Sequence, residues 1–134
     1  MAKPLVIIFA KVPRYGAVKT RLARDIGAGE ALRFYRRTLA AVVRRMTDDA
    51  RFETVMALTP DHLCNGYGAG VRLAPQGGGD LGRRMVRALR AAGNRPAIVI
   101  GSDIPDVTSA HTAAAFAALG RAPFVLGPAA DGGY

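Results

Sequence analysis

Positively charged side chains follow the first apolar run of the chain. The run Pro4–Ala10 is rich in β-branched residues, which predicts a buried strand. The loop after it contains one glycine and four cations: Lys11, Arg14, Gly16, Lys19 and Arg21. Ligands of open α/β sheets bind at the carboxyl ends of strands, and Lys and Arg beside a flexible Gly suit a polyanion such as a nucleotide diphosphate. The sequence therefore predicts a phosphate-binding loop directly after the first strand.

A second candidate loop is rich in glycine and spans Gln76–Gly82. Gly77, Gly78 and Gly79 permit a backbone to approach a base or a phosphate closely. Asp80 has two interpretations, since it could cap the helix that follows or accept a hydrogen bond from a base or a ribose. The nucleotide-binding candidates in this loop are Gln76, Gly77, Gly79 and Asp80.

Two acidic residues are candidates for a metal site. Asp103 comes directly after an apolar strand and before Ile104 and Pro105. A carboxylate there costs stability unless it is hydrogen-bonded or binds a cation. Magnesium is usually held by one or two carboxylates together with phosphate oxygens, and Asp131 in the last loop is a candidate second ligand. We therefore expect a divalent ion, Mg²⁺ or Mn²⁺, at Asp103 and Asp131.

Strands and helices must alternate to position these loops. Apolar runs alternate with segments of helical periodicity along the whole chain, which predicts a mainly parallel sheet in a three-layer α/β/α sandwich. The later strands are predicted at Thr54–Leu58, Val71–Ala74, Ala97–Ile100 and Pro123–Leu126, and helices begin near Thr20, Ala28, Leu81 and Thr108. Ala97–Ile100 is apolar throughout, which favours an inner position in the sheet. Parallel strands would bring most of the loops 11–21, 76–82, 101–106 and 127–134 to one edge.

Composition narrows the class of protein. The chain has 134 residues, half of them hydrophobic, which predicts one globular domain over 1–134. The net charge of +9 could serve nucleic acid, a membrane surface or an acidic small molecule. Nucleic acid is disfavoured because most arginines fall on predicted helix exteriors without aromatic platforms. These arginines are Arg33, Arg36, Arg37, Arg44, Arg45, Arg83, Arg84, Arg87 and Arg90. A lone Cys64 and the lack of a signal peptide or apolar span predict a cytoplasmic protein without an internal disulfide.

Four motifs together resemble a known bacterial family. They are Phe9–Leu22 with its Lys and Arg residues, Gln76–Met85, Gly101–Asp106 and Asp131–Tyr134. In this order, and spanning essentially the whole chain, they resemble DUF2064, the radical-SAM/selenodomain-associated transferase 1 group, whose members are classed as glycosyltransferases. That family belongs to the nucleotide-diphospho-sugar transferase superfamily with a GT-A-like fold. More distantly, the chain is similar to the molybdopterin-guanine and phospholactate nucleotidyltransferases.

The resemblance implies roles for the same residues. Lys19 and Arg21 would contact the nucleotide phosphates, and the segment 76–80 would line the nucleotide. Asp103 would stand where the superfamily binds its metal, and Asp131 would face the transferred group. Family members continue well past the Asp-Gly-Gly-Tyr motif, so we expect that this chain is truncated at its carboxyl end and lacks much of the acceptor site.

Three functions are compatible with these residues. The favoured one is a metal-dependent glycosyltransferase that uses a nucleotide-sugar donor. The second is a nucleotidyltransferase that consumes a nucleoside triphosphate, although Phe9-Ala10-Lys11 stands where such enzymes usually have a Gly-Gly loop. The third is a basic module without catalysis that binds nucleotides or nucleic acid. An exposed sheet edge would also allow copies of the chain to pair into a homo-oligomer.

Overall fold

The computed structural model describes residues 3–14, 20–66, 70–102 and 108–121. Within these ranges, strands and helices alternate as the hydrophobic pattern predicts. The strands are β1 (Leu5–Lys11), β2 (Glu53–Thr59), β3 (Arg72–Pro75) and β4 (Ala97–Gly101), and the helices are α1 (Thr20–Ile26), α2 (Ala28–Thr47), α3 (Leu81–Ala91) and α4 (Ser109–Leu119). A 3-10 helix, Asp61–Gly66, follows β2. The predicted strand Pro123–Leu126 lies outside the described residues.

The four strands form one parallel sheet. Their order is β3-β2-β1-β4, and each neighbouring pair is parallel. In this register Lys11 lies opposite Thr59, and Phe9 lies opposite Gly101. All four strands therefore end at the same side of the sheet, here called the carboxyl edge. In the described sheet β4 stands at the end of the order, and the inner positions belong to β1 and β2.

Helices cover both faces of the sheet. Because side chains alternate along a strand, Ile8 faces one side of β1 and Ile7 the other. Ile8 belongs to a core with Leu39 of α2, and Phe116 of α4 packs against the same core. Ile7 belongs to the opposite core, against which Met85 of α3 packs. The predicted three-layer α/β/α sandwich is confirmed.

Side-chain caps set where α3 and α4 begin. The Asp80 carboxylate accepts a hydrogen bond from the amide of Arg83 at 2.8 Å. At α4, the Thr108 hydroxyl accepts from the amide of His111, and Nδ1 of His111 accepts from the amide of Thr108 at 3.0 Å. A cap of this kind contributes about 1 kcal/mol to helix stability. These local signals explain why the starts of both helices can be predicted from the sequence.

A buried tyrosine fixes the carboxyl end of β1 to α2. Tyr35 lies in the apolar stripe of α2 and is 4% exposed. Its hydroxyl accepts a hydrogen bond from the amide of Lys11 at 2.9 Å and donates to the carbonyl of Lys11 at 2.7 Å. Both backbone groups of Lys11 are thereby held by one side chain, so the loop that follows β1 starts from a fixed point.

A buried glutamine ties three strands together at the carboxyl edge. Gln76 follows β3 directly and is 4% exposed. Its backbone amide donates to the carbonyl of Leu58 at 3.0 Å. Nε2 of its side chain donates to the carbonyls of Ala57 at 2.9 Å and of Ala10 at 3.1 Å. The end of β3 is thus joined to β2 and β1 by hydrogen bonds that are shielded from water.

Ion pairs gather at the opposite, amino edge of the sheet. Glu53, the first residue of β2, pairs with Arg95 at 2.8 Å and with Arg72 at 3.1 Å. The hydrogen bond from Arg95, followed by that from Arg72, lowers the pKa of Glu53. Just before β2, hydrogen bonds from Arg51 lower the pKa of Asp49 to about 2. Each ionised carboxylate is favoured in the folded state.

None of the helices in the four described ranges combines the length and the apolar character that a transmembrane helix needs.

The hydrogen bonds of Gln76 predict a stability loss on its removal. In Gln76→Leu, the carbonyls of Ala10 and Ala57 lose a buried donor, which we expect to cost about 1–3 kcal/mol. Urea unfolding should show a lower midpoint with an unchanged slope. Asn94→Ala is the matched control, because the Asn94 amide is exposed and makes no hydrogen bond with any described residue. An equal midpoint for Gln76→Leu and wild type would contradict this role.

The lowered pKa of Asp49 predicts an acid-dependent contribution to stability. An unfolded aspartate has a pKa near 4, so the ion pair with Arg51 stabilises the fold fully above about pH 4. Its contribution is lost as pH falls from about 4 through the folded pKa of about 2. Thermal unfolding should therefore show a gap between wild type and Asp49→Asn that closes over this range. In an Arg51→Gln background the gap should be smaller, because only the hydrogen bond from the backbone amide of residue 51 remains, and a gap of undiminished size would refute the assignment to the Arg51 side chain.

Candidate functional site

Two of the predicted cations line a small cleft at the carboxyl edge. The cleft has a volume of about 240 Å³ and is bounded by Lys11, Val12, Arg14, Thr59 and Pro60. The amide of Val12 donates to the carbonyl of Thr59 at 2.9 Å, which continues the pairing of β1 and β2 by one step. Lys11 and Arg14 are both exposed. The structure thus places two positive side chains beside a concave surface where β1 and β2 end.

The other residues predicted in this loop are less completely described. Gly16 and Lys19 lie outside the described residues. Arg21 lies in the first turn of α1, and its side chain is outside the description. Their contact with a ligand stays a prediction from the sequence.

The glycine-rich loop adopts a backbone that needs glycine at position 77. Gly77 has a φ of +84°, in the left-handed region that other residues rarely adopt. A Cβ atom there would also overlap the guanidinium of Arg87. The Gly77 amide donates to Oδ1 of Asp61, in the 3-10 helix, at 3.1 Å. Gly79 has a φ of +96°, so two of the predicted glycines serve the turn itself.

An arginine of α3 holds the same loop from the other side. Nη1 of Arg87 donates to the carbonyl of Gln76 at 2.9 Å and to the carbonyl of Gly78 at 3.0 Å. Together with the bond from Gly77 to Asp61, these contacts brace the loop between two elements. A braced loop loses little conformational freedom when a ligand binds, which favours affinity.

The helix-cap interpretation of Asp80 is confirmed. Oδ1 accepts from the amide of Arg83, and Oδ2 lies 4.0 Å from Nε of the same residue. The carboxylate is nevertheless 73% exposed at the amino end of α3. A contact between Asp80 and a nucleotide therefore stays a prediction.

Several cations at the carboxyl edge have no carboxylate as a direct partner. Among the described residues, Lys11, Arg14, Arg84 and Arg87 have no acidic partner within 4 Å. At the amino edge, in contrast, Arg51 pairs with Asp49, and Arg72 and Arg95 pair with Glu53. An edge with unpaired cations is electrostatically suited to an anion.

The predicted metal ligands, Asp103 and Asp131, both lie outside the described residues. In the part of the chain that the structure describes, no three His, Cys, Asp or Glu residues are grouped so that they could hold a metal ion.

Sequence reasoning missed four side chains that shape the site: Tyr35, Asp61, Arg84 and Arg87. Tyr35 belongs to the apolar stripe of α2, and a buried phenol usually needs a hydrogen-bond partner. The sequence does contain a signal for the two arginines. If α3 begins after Asp80, positions 84 and 87 lie one turn apart on the side of the helix that faces Gln76.

Comparisons with known proteins agree with the resemblance of the motifs. A crystal structure from Desulfovibrio desulfuricans G20, titled as a "putative nucleotide-diphospho-sugar transferase", is similar to the chain with a TM-score of 0.78 and 26% sequence identity. The similarity covers 90% of this chain and 55% of that one, so the chain spans little more than half the length of that structure. No curated protein matches the chain.

A family match completes the comparison. The family described as "Uncharacterized protein conserved in bacteria (DUF2064)" matches residues 38–134, which include the glycine-rich loop and all of α3. The loop after β1 precedes the matched range. The match extends over well more than half of the sequence, and the chain therefore belongs to the DUF2064 family.

Proposed function

We propose that this chain is the nucleotide-binding part of a metal-dependent glycosyltransferase, which transfers a sugar from a nucleotide-sugar donor to an acceptor. One observation carries the proposal: Gln76, which begins the loop after β3, is hydrogen-bonded to Ala10 near the end of β1, next to Lys11, and Lys11 lines the cleft together with Arg14. This is the edge where ligands of parallel α/β sheets bind. The name of the structure from Desulfovibrio desulfuricans G20 supports the same class of reaction.

The chemistry assigns work to these side chains. When the sugar is transferred, negative charge grows on the departing nucleoside diphosphate. Lys11 and Arg14 would offset that charge at the cleft, and the sequence adds Lys19 and Arg21 to this group. A divalent ion bound by Asp103 and Asp131 would supply further charge neutralisation at the diphosphate.

A nucleotidyltransferase would use the same groups differently. Its cations would stabilise the α-phosphate of a nucleoside triphosphate, and pyrophosphate would leave. A basic module without catalysis would bind nucleotide or nucleic acid and release no product. The products formed from a nucleotide sugar and from a nucleoside triphosphate therefore separate the three functions.

The position of the cleft predicts that affinity for the nucleotide-sugar donor depends on the positive charges at the carboxyl end of β1. We expect Lys11→Gln combined with Arg14→Gln to weaken binding of nucleoside diphosphate sugars about 10-fold or more, because charge-assisted hydrogen bonds to the diphosphate are lost. Isothermal titration with a panel of UDP, GDP and CDP sugars in the presence of Mn²⁺ measures this change.

The matched control lies at the other end of the same strand. Lys3 is an exposed lysine just before β1, at the amino edge, and Lys3→Gln removes one positive charge without touching the cleft, so Lys11→Gln alone is its counterpart in charge. Lys3→Gln should bind the donor as the wild type does. Equal weakening by both changes would show a general charge effect and would contradict a site at the carboxyl edge.

The assignment of Asp103 as a metal ligand predicts that its carboxylate is responsible for the metal dependence of nucleotide-sugar binding. In wild type, Mn²⁺ or Mg²⁺ should raise the melting temperature further when a nucleotide sugar is present, because the ternary complex forms only with the native state. Asp103→Asn should abolish that additional rise and keep the melting temperature of the free protein. A metal-dependent rise that survives in Asp103→Asn would refute the role of Asp103.

A further inference from the structure

We propose that Arg84 contacts the diphosphate group of the ligand and that Gln76 is its positioning residue. This inference rests on the proposed nucleotide site at the carboxyl edge. It differs from what the sequence suggests, because Arg84 falls in a group of arginines predicted on helix exteriors. Eight of these nine side chains are exposed, and Arg84 alone among them is half-buried.

The orientation of the Gln76 side chain is determined by its hydrogen bonds. The two N–H groups of Nε2 have acceptors in the carbonyls of Ala10 and Ala57. Oε1 must then point away from both strands, and it accepts from Nη1 of Arg84 at 2.7 Å. Because Gln76 is buried, water does not compete for these bonds. The amide therefore holds Arg84 in one place.

The remaining partners of Arg84 leave its charge unbalanced. Nε lies 3.4 Å from the carbonyl of Asp80, which is neutral, as is Oε1 of Gln76. Among the described residues, no carboxylate lies within 4 Å of the guanidinium, and both N–H groups of Nη2 lack an acceptor. A neutral donor would satisfy Oε1 equally well, so the hydrogen bond alone gives no reason for a cation here.

Arg84 is connected through Gln76 to the strand end that borders the cleft. Ala10, whose carbonyl binds Nε2 of Gln76, immediately precedes Lys11. A continuous series of contacts thus leads from Arg84 through the Gln76 amide to the end of β1. A half-buried guanidinium with free N–H groups fits two oxygens of a phosphate at once, which suits it to a diphosphate.

The test compares how much affinity a second phosphate adds. For wild type, the dissociation constants of UMP and UDP, of GMP and GDP, and of inorganic pyrophosphate are measured by titration calorimetry with Mg²⁺. We expect each diphosphate to bind more tightly than its monophosphate. In Arg84→Gln that gain should shrink about 10-fold or more, and the affinity for pyrophosphate should fall by the same factor. The affinities for the monophosphates should change little.

Three variants separate contact from structure. Arg90→Gln removes an exposed arginine of the same helix and should keep the full gain. Arg84→Lys keeps the charge without the forked geometry and should keep part of the gain from the second phosphate. If Arg84→Gln does not fold, the comparison of Arg84→Lys with the wild type provides the test. Gln76→Met retains Arg84 without its orientation, so it should also reduce the gain from the second phosphate.

The outcomes are distinct. Equal weakening of monophosphates and diphosphates by Arg84→Gln would show a purely structural role and overturn the inference, as would an unchanged gain. A wild type that binds no phosphate compound would overturn both this inference and the proposed function. Diphosphate binding that depends on Arg84, in a protein that takes no sugar nucleotide, would support the inference and refute the proposed function.

Discussion

Parallel pairing of β1 with both of its neighbours is the constraint on which the rest of the structure depends. Because β2 and β4 run in the same direction as β1, the chain must return to the amino edge after every strand, and helices provide each described return. All strand ends then face the same side. The ends of β1 and β3 come together although Ala10 and Gln76 lie 66 positions apart in sequence, and the Gln76 side chain bonds to both β1 and β2.

Charge is distributed unevenly between the two edges of this sheet. At the amino edge, Glu53 and Asp49 pair with the arginines that precede or begin the strands. At the carboxyl edge, Arg83 lies 4.0 Å from the Asp80 carboxylate, whereas Lys11, Arg14, Arg84 and Arg87 have no acidic partner among the described residues. The net charge of +9 therefore does not form a uniform coat. Part of it is balanced where the fold needs stability, and part is left unbalanced where the proposed ligand binds.

The sequence predicts the elements of this fold closely because their signals are local. Helix α3 was expected to begin near Leu81 and spans Leu81–Ala91, and β2 was expected at Thr54–Leu58 and spans Glu53–Thr59. Periodicity and the Asp80 cap act over a few residues, so they can be recognised without the tertiary structure. The strand order depends on pairing between distant parts of the chain. The hydrogen bonds of Tyr35 and Gln76 likewise join residues that are 24 and 66 positions apart in sequence, respectively. Nothing in a local pattern identifies such partners, which is why Arg84 was read as part of a solvated helix face.

The environment of Gln76 has a consequence for which amino acids position 76 can accept. The site asks for two donors toward the strands, one acceptor toward α3, and enough length to reach the carbonyl of Ala10. Glutamate has the length but no amide donors, asparagine has the donors but is one methylene shorter, and methionine has only the shape. Among the twenty amino acids glutamine alone meets all three demands, so this position has almost no room for neutral drift while the surrounding strands can exchange one apolar residue for another.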